Sequence, residues 1–267
     1  KPQPGSATTT LPLDAARDAG LGAILGAPDA AAALAAVPTT ALAYLDVAGG
    51  DGARVPAVFA GEPGHPDPVV ALRTSLDVAT GRAAPDAAWA VGRAWRDLYP
   101  ALVARFSREG GLDFAPFADA AGRLEGLAFG PPAVNAAKLL ALIAAGLVDA
   151  SALSTDTVDR SGHHDPVRAD VVVDAVLPGP GVVTGSHTLP GRLVASGLLA
   201  RCPGRRGLLL DPDGTCRSPD GRRLDGLSAA GRPSEDVVIG NDTLSATLHP
   251  TIRRWAARVA RRSREDT

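Results

Sequence analysis

The sequence predicts a mixed fold of the α/β class, with an α+β arrangement as the alternative. Three amphipathic helical segments follow one another between residues 86 and 149. After residue 149, short β-branched runs alternate with helical segments, which is typical of chains that pack strands and helices together. Two Asp-Gly turns then join short apolar runs between residues 207 and 231, and this pattern predicts a β-meander.

The composition is that of an ordinary globular protein. The chain has 267 residues, of which 45% are hydrophobic and 21% are charged, so it is long enough for one large domain or two modest ones. The formal net charge of -2 argues against a dedicated nucleic-acid-binding protein. No basic region precedes an apolar signal core, and the apolar stretch 137–148 is too short to cross a bilayer. We therefore expect a cytoplasmic protein with no membrane partner.

Two absences concern the extent of the chain. It opens with "KPQPGSATTT" and contains no Met. We expect the chain to be the C-terminal portion of a longer protein. The alternative is that methionine positions are missing from the sequence.

Cysteine and histidine do not form a recognisable metal site. Cys202 and Cys216 form neither a CxxC pair nor a metal-ligand spacing, so reduced thiols are expected, with a disulfide between them as the alternative. The "SGHHDP" stretch (161–166) is expected to be a polar loop, because two adjacent His side chains diverge on most backbones. The sequence predicts no metal.

Residues 1–85 are expected to form a linker followed by a mixed α/β segment. The expected pieces are a linker at 1–11, an Ala-rich helix at 13–37 that breaks at Gly26-Ala27-Pro28, a strand at 41–49 and a loop at 61–68.

Residues 86–150 are expected to form a helical region. The apolar spacing predicts helices at 86–106, 114–129 and 131–149. Pro100 lies inside the first of these and predicts a kink or a restart there. The double proline that precedes the third helix presets its first turn.

Residues 151–267 are expected to form a strand, a helix, a meander and a final helix. The expected pieces are a buried strand at 169–178, a helix at 189–202, the meander at 207–231, a strand at 237–239 that ends in a glycine, and a helix from about Asp242 that restarts at Pro250.

The stretch "GRPSEDVVIGNDTLSATLHP" (231–250) holds the densest polar cluster. Five polar residues fall within nine positions directly after the apolar triplet and Gly240: Asn241, Asp242, Thr243, Ser245 and His249. A helix cap explains one of them. A glycine-ended strand that leads into a helix N-terminus also lets a ligand approach the backbone closely, and such a corner suits a hydroxylated or phosphorylated cofactor. Both interpretations stay open on the residues alone.

Three other side chains, together with His249, are candidates for ligand contacts. Asn135 and Lys138 lie just inside the helix after the double proline and face either a substrate or solvent. His249 precedes Pro250 and acts either as a local cap or in proton transfer. Arg232 pairs either with a cofactor phosphate or with a neighbouring carboxylate on the surface. The arginines of the last helix are expected to form a solvated face.

Several motifs resemble those of known flavoproteins. The segments "GRPSE" and "GNDTLS" near the C-terminus, with "FGPPAVNAAKLLAL" (129–142) and "VVVDAVLPGPG" (171–181), are similar to the bacterial FAD-NAD(P)-binding family. The meander and final helix resemble the C-terminal end of two-dinucleotide-fold flavoproteins, in which the last helix begins beside the flavin. "GNDTLS" also resembles a segment of flavin-dependent N-hydroxylating monooxygenases, although the ATGY residues of those enzymes are absent. The resemblance covers residues 86–262.

The resemblance implies a portion of an FAD- and NAD(P)H-dependent oxidoreductase that acts on a small molecule. The helical region at 86–150 would cover that substrate. A monooxygenase-like reaction is expected, with N-hydroxylation of a small amine or amino acid as one specific version. The residues that would bind the cofactor are Gly231, Arg232, Gly240, Asn241, Asp242 and Thr243, and those that would contact the substrate are Asn135, Lys138 and His249.

The main departure from that pattern is the missing nucleotide fingerprint. A Rossmann site needs G-x-G-x-x-G after a strand, whereas "GLGAILG" (20–26) has the wrong spacing and no strand before it. The fingerprint is therefore expected upstream of Lys1. The alternative function is a non-catalytic ligand-binding or interaction domain on a degenerate flavoprotein scaffold.

Overall fold

The computed structural model describes residues 7–151, 171, 173, 181–183, 187–241, 243 and 247–265. These residues are mostly helical and carry a two-stranded antiparallel sheet, which confirms a mixed α and β composition. They divide into two compact units. The first comprises the described residues within Lys1–Ala23, Leu34–Leu98 and Ala118–Val176, and the second those within Ile24–Ala33, Tyr99–Phe117 and Leu177–Thr267.

Nine α-helices lie within the described residues. They are α1 (Ala7–Leu25), α2 (Ala30–Ala48), α3 (Val55–Phe59), α4 (Pro68–Ala79), α5 (Ala87–Phe106), α6 (Phe114–Ala128), α7 (Ala133–Ala144), α8 (Leu189–Ala195) and α9 (Thr251–Glu265).

The break between α1 and α2 follows the prediction. The chain leaves α1 after Leu25, and the Asp29 carboxylate accepts a hydrogen bond from the Ala32 amide at 2.8 Å as α2 begins. The loop at 61–68 is also confirmed, since α4 begins only at Pro68. The linker expected at 1–11 is wrong for residues 7–11, which belong to α1, and residues 1–6 lie outside the described part.

The strand expected at 41–49 is wrong, because α2 continues to Ala48. Val37, Ala41, Tyr44 and Leu45 are all buried, and their spacing of three and four residues places them on one face of a helix. Burial of that face overrides the local β propensity of the Tyr-Leu-Asp-Val run. The described part of residues 1–85 is therefore helical and not mixed α/β.

The core of the first unit is formed by α2, α5 and α6. Trp95, Leu98 and Leu124 are fully buried together with the α2 residues. The Tyr44 hydroxyl donates to the Asp97 carboxylate at 3.1 Å, and the same carboxylate accepts from Arg93 at 2.9 Å. These bonds satisfy the polar end of a buried aromatic side chain.

The helical region expected at 86–150 is confirmed as three helices, α5, α6 and α7. α5 continues through Pro100 as one helix, so a restart at that proline is not found. α7 begins at Ala133 directly after the double proline and ends at Ala144, a few residues short of the predicted boundary. It packs through Ala136 and Leu140 against Leu76 of α4.

The sheet of the second unit is a hairpin of β1 (Thr215–Arg217) and β2 (Arg223–Ser228). Both Asp-Gly turns form as predicted, with Gly214 and Gly221 at φ 76° and 82°. Isolated bridges, Arg201↔Leu208 and Leu210↔Cys216, extend the pairing of the chain before β1. The meander is therefore present with two regular strands, and the helix expected at 189–202 is the shorter α8.

The two cysteines are free and buried in the core of the second unit. Burial raises the pKa of the Cys216 thiol to about 11, which keeps it protonated and unreactive at neutral pH.

Ion pairs attach α9 to the hairpin. Arg223 pairs with Asp213 at 2.6 Å, and Arg258 of α9 reaches the same carboxylate at 2.9 Å. Burial opposes ionisation of Asp213, but hydrogen bonds from Arg223 and Thr215 outweigh it and hold its pKa well below the ordinary value. These ion pairs therefore fix the position of α9 relative to the hairpin.

Two predicted segments cannot be compared with the structure. The strand expected at 169–178 lies outside the described residues except for Val171 and Val173, and the "SGHHDP" loop lies outside them entirely.

Candidate functional site

The candidate site begins where the chain turns after β2. A 3-10 helix, Arg232–Ser234, is followed by turns up to Gly240, so the strand expected at 237–239 is wrong. The amides of Val237 and Val238 both donate to the Ser234 carbonyl, at 3.1 and 3.0 Å, in place of a strand ladder. Val237, Val238 and Ile239 are buried all the same. The apolar triplet thus reflects burial in a turn and not a β-strand.

A left-handed residue produces this turn. Asp236 has φ 65°, a conformation that non-glycine residues seldom adopt. Its buried carboxylate accepts hydrogen bonds from the Arg206 amide at 2.9 Å and from Arg206 Nε and Nη2 at 2.8 and 2.7 Å. These three bonds hold the segment that leads into the site.

The helix expected from about Asp242 is not found at Thr243 or at 247–250, and residues 242 and 244–246 lie outside the described part. The restart expected at Pro250 is confirmed, since α9 begins at Thr251. Asn241 donates through Nδ2 to the Val238 carbonyl at 3.2 Å, and the Thr243 amide donates to the Gly240 carbonyl at 3.1 Å. Asn241 therefore lies in a turn and not at a helix N-terminus.

Gly240 is required in this turn for two reasons. Its φ of 72° lies in the left-handed region, and a Cβ atom there would clash with the Leu248 side chain. The glycine therefore serves the turn, and it is not one of the residues that line the neighbouring cavity.

The turn and α9 enclose a cavity of about 360 Å³. It brings together three of the predicted cofactor residues, Gly231, Asn241 and Thr243, and the predicted substrate residue His249. The other lining residues are Ala230, Ser234 and Val238, with Thr251, Ile252 and Arg253 from the first turn of α9. A helix N-terminus does contribute to the site, but it is that of α9.

Of the other predicted site residues, Asp242 lies outside the described part, and the rest do not line this cavity: Gly240, Arg232, Asn135 and Lys138. Arg232 lies in the 3-10 helix, and the carboxylates of Glu235 and Asp236, which were its alternative partners, lie 3.6 and 2.7 Å from Arg206. Asn135 and Lys138 are exposed on α7 of the first unit.

Two polar atoms in the cavity wall lack hydrogen-bond partners within the described part of the chain. They are Asn241 Oδ1 and His249 Nδ1, and both are shielded from water. The Gly240 carbonyl lies near the His249 imidazole. Burial lowers the pKa of His249 and outweighs the opposing effect of that carbonyl, so the ring is neutral at pH 7.

A second cavity, of about 240 Å³, shares Val238, His249 and Thr251 with the first. Its charged lining residues are largely paired within the second unit. Glu109 forms an ion pair with Arg254 at 2.6 Å, Asp211 pairs with Arg217 and Arg223, each at 2.6 Å, and Arg108 donates to the Leu210 carbonyl. His249 therefore separates two adjoining cavities.

Sequence reasoning missed Ser234, Thr251 and Arg253 as lining residues. The available signal was the predicted restart of the final helix at Pro250, which α9 confirms and which puts Thr251 and Arg253 in its first turn. The ligand was instead expected at a helix start near Asp242.

The described part of the chain has no metal-ligand group and has one long apolar helix. No group of three or more His, Cys, Asp or Glu side chains within them is arranged to hold a metal ion. α2 is long and apolar enough to cross a membrane by length and composition, and half of the qualifying stretch is buried in the protein. α6 and α7 pass the same test only when taken together, across a 75° bend.

Comparison with known proteins adds no relatives. No family model, curated protein or solved structure matches the chain.

Proposed function

We propose that the chain is part of an FAD- and NAD(P)H-dependent oxidoreductase, monooxygenase-like in its reaction, and that the larger cavity binds one end of the flavin cofactor. One observation carries the proposal: Gly231, Asn241, Thr243 and His249 line a single cavity with the first turn of α9. Of these residues, the flavoprotein resemblance assigns Gly231, Asn241 and Thr243 to the cofactor and His249 to the substrate.

The cavity fits part of FAD by size and by chemistry. A volume of about 360 Å³ is near the lower end for small-molecule sites, so it accommodates one end of a dinucleotide and not the whole. The first-turn amides of α9 offer donors for carbonyl oxygens, as helix N-termini do. Asn241 and His249 offer acceptors, while Val238 and Ile252 supply apolar surface. A flavin ring and its polyol chain carry the complementary groups: carbonyl oxygens, N–H or hydroxyl donors, and apolar surface.

The residues of the chain would bind, orient and shield the cofactor. The bound flavin supplies the hydride and oxygen chemistry. The neutral ring of His249 lies between the two cavities. It would act as a proton acceptor beside a substrate bound in the smaller cavity.

One experiment tests the proposal directly. The purified chain is titrated with FAD, its visible spectrum is recorded, and NADH or NADPH is then added without oxygen. We expect a flavin spectrum that stays with the protein through gel filtration and bleaches on addition of the nicotinamide. A chain that leaves gel filtration without flavin absorbance, after incubation with saturating FAD, would contradict the proposal.

A non-catalytic ligand-binding domain is the second candidate. It is favoured by the position of Gly20 and Gly22 inside α1, since a dinucleotide fingerprint belongs in a loop between a strand and a helix. In that case the chain binds a ligand, but neither NADH nor NADPH reduces the bound flavin.

A further inference from the structure

We infer that the larger cavity recognises an uncharged ligand group that donates hydrogen bonds, a hydroxyl or an amide N–H, and not a phosphate. The inference deepens the proposed function and rests on it for the identity of the ligand as a flavin. It is carried by Asn241 Oδ1 and His249 Nδ1, two acceptor atoms without partners among the described residues, on side chains that line the same cavity.

The orientation of Asn241 follows from its one hydrogen bond. The side chain meets the Val238 carbonyl at 3.2 Å. A carbonyl oxygen only accepts, so the atom facing it must be the NH₂ group, and the side-chain oxygen is the atom left over. Exchanging the two ends would place two acceptors against each other.

We assign the ring hydrogen of His249 to Nε2. In the neutral imidazole one ring nitrogen carries the hydrogen and the other is a lone-pair acceptor. Nδ1 has no partner, and with the hydrogen on Nε2 it is the acceptor. Both atoms without partners in this wall consequently call for a donor.

An anion suits these two atoms poorly. A phosphate oxygen would face two lone pairs and would lose water against the apolar side chains of Val238 and Ile252. A hydroxyl or N–H group would satisfy acceptors that bulk water does not reach, which removes the free-energy cost of leaving them unpaired. Because both atoms are enclosed, a donor contacts them only after the surrounding side chains shift slightly.

Arg253 provides the opposing possibility. It lines the same cavity and is exposed. If a phosphate were the bound group, the Arg253 guanidinium would be its natural partner. Arg253→Gln therefore tests phosphate recognition, and Asn241→Leu and His249→Phe test donor recognition.

The experiment measures dissociation constants of the purified chain for four probes: riboflavin, lumiflavin, FAD and ADP. We expect riboflavin to bind within about threefold of FAD, and ADP not to compete. Asn241→Leu and His249→Phe each weaken riboflavin about three- to tenfold, the effect of one lost hydrogen bond to a neutral group, whereas Arg261→Gln, at an exposed position of α9 that does not line the cavity, leaves it unchanged. Circular dichroism confirms that each variant is folded, and His249→Gln, which keeps an acceptor, recovers part of the binding.

The probes also separate the two possible donors. Binding of lumiflavin, which has the ring but no polyol, assigns the donor to the ring N–H. Binding of riboflavin but not lumiflavin assigns it to the polyol hydroxyls.

The outcomes distinguish this inference from the proposed function. If FAD binds, ADP competes and Arg253→Gln weakens both, the inference is overturned while the flavoprotein proposal stands. If riboflavin binds as expected but neither NADH nor NADPH reduces the bound flavin, the inference stands and the oxidoreductase proposal falls. If no probe binds at millimolar concentration, both are overturned.

Discussion

Replacing Asp236 with Asn tests whether one buried carboxylate holds the segment that forms the cavity wall. Asp236 is 6% exposed and accepts three hydrogen bonds from Arg206, and Val238 follows it directly in the chain. Asn tolerates the left-handed conformation, so the substitution changes the side-chain hydrogen bonds and adds no backbone strain. Its single side-chain oxygen keeps part of the bonding, and its NH₂ group faces donors on Arg206.

The expected cost follows from the bonds that are lost. Charge-assisted hydrogen bonds contribute roughly 1.5–3 kcal/mol each, and the Arg206 side chain is half-exposed, which reduces their contribution. We expect Asp236→Asn to lower the free energy of unfolding by about 2–3 kcal/mol. Urea unfolding followed by circular dichroism measures this change. Hydrogen exchange of peptides that cover residues 231–241 shows whether the loss is local.

Acid dependence supplies a second readout of the same contact. Burial would raise the pKa of Asp236, but the hydrogen bonds from Arg206 outweigh it, so the pKa lies below the ordinary value. The stabilisation is therefore fully present above about pH 4 and is lost as the pH falls further. Asp236→Asn should lose less stability than the parent chain over that range.

A matched variant controls for the loss of an exposed ion pair. Asp119→Asn removes the partner of Arg123, and the Asp119 side chain is 72% exposed, so we expect a change within about 0.5 kcal/mol. If Asp236→Asn costs no more than this control, the carboxylate does not hold the segment and the reasoning is refuted.

Three further predictions concern other positions. Gly240→Ala should destabilise the chain by more than Gly221→Ala, because both have positive φ but only Gly240 also meets Leu248; equal losses in urea unfolding would remove the clash argument. Because burial lowers the pKa of His249, the parent chain should lose stability as the pH falls below about 6.5, and His249→Phe should lack that loss in a pH series of thermal melts. In α1, Gly22→Ala should stabilise by about 0.5–1 kcal/mol, whereas Gly20→Ala should destabilise because a Cβ there clashes with neighbouring side chains; the opposite order would contradict the packing of α1.

The helical part of the fold was largely predictable from apolar periodicity. α5 and α6 bury Val91, Trp95, Leu98 and Leu124 at helical spacing, and this signal is local to each segment. The strand expected at 41–49 failed because burial of the α2 face depends on partners distant in the chain. A short apolar run does not distinguish a strand from a buried helix.

The candidate site was predicted as a set of residues but not as a geometry. Asn241, Thr243 and His249 do meet at one cavity, as their spacing suggested. The strand expected before them is not formed, because Asp236 turns the chain in a conformation that its residue type does not predict. That turn depends on Arg206, thirty residues earlier, a contact that the local sequence does not reveal.

The most direct test of the account is hydrogen exchange of the whole chain with and without saturating FAD, since it reports both binding and its location. We expect FAD to slow exchange in peptides spanning residues 231–253, where the turn and the first turn of α9 enclose the cavity. Unchanged exchange throughout the chain, or protection confined to the glycines of α1, would contradict the assignment of this cavity to the cofactor.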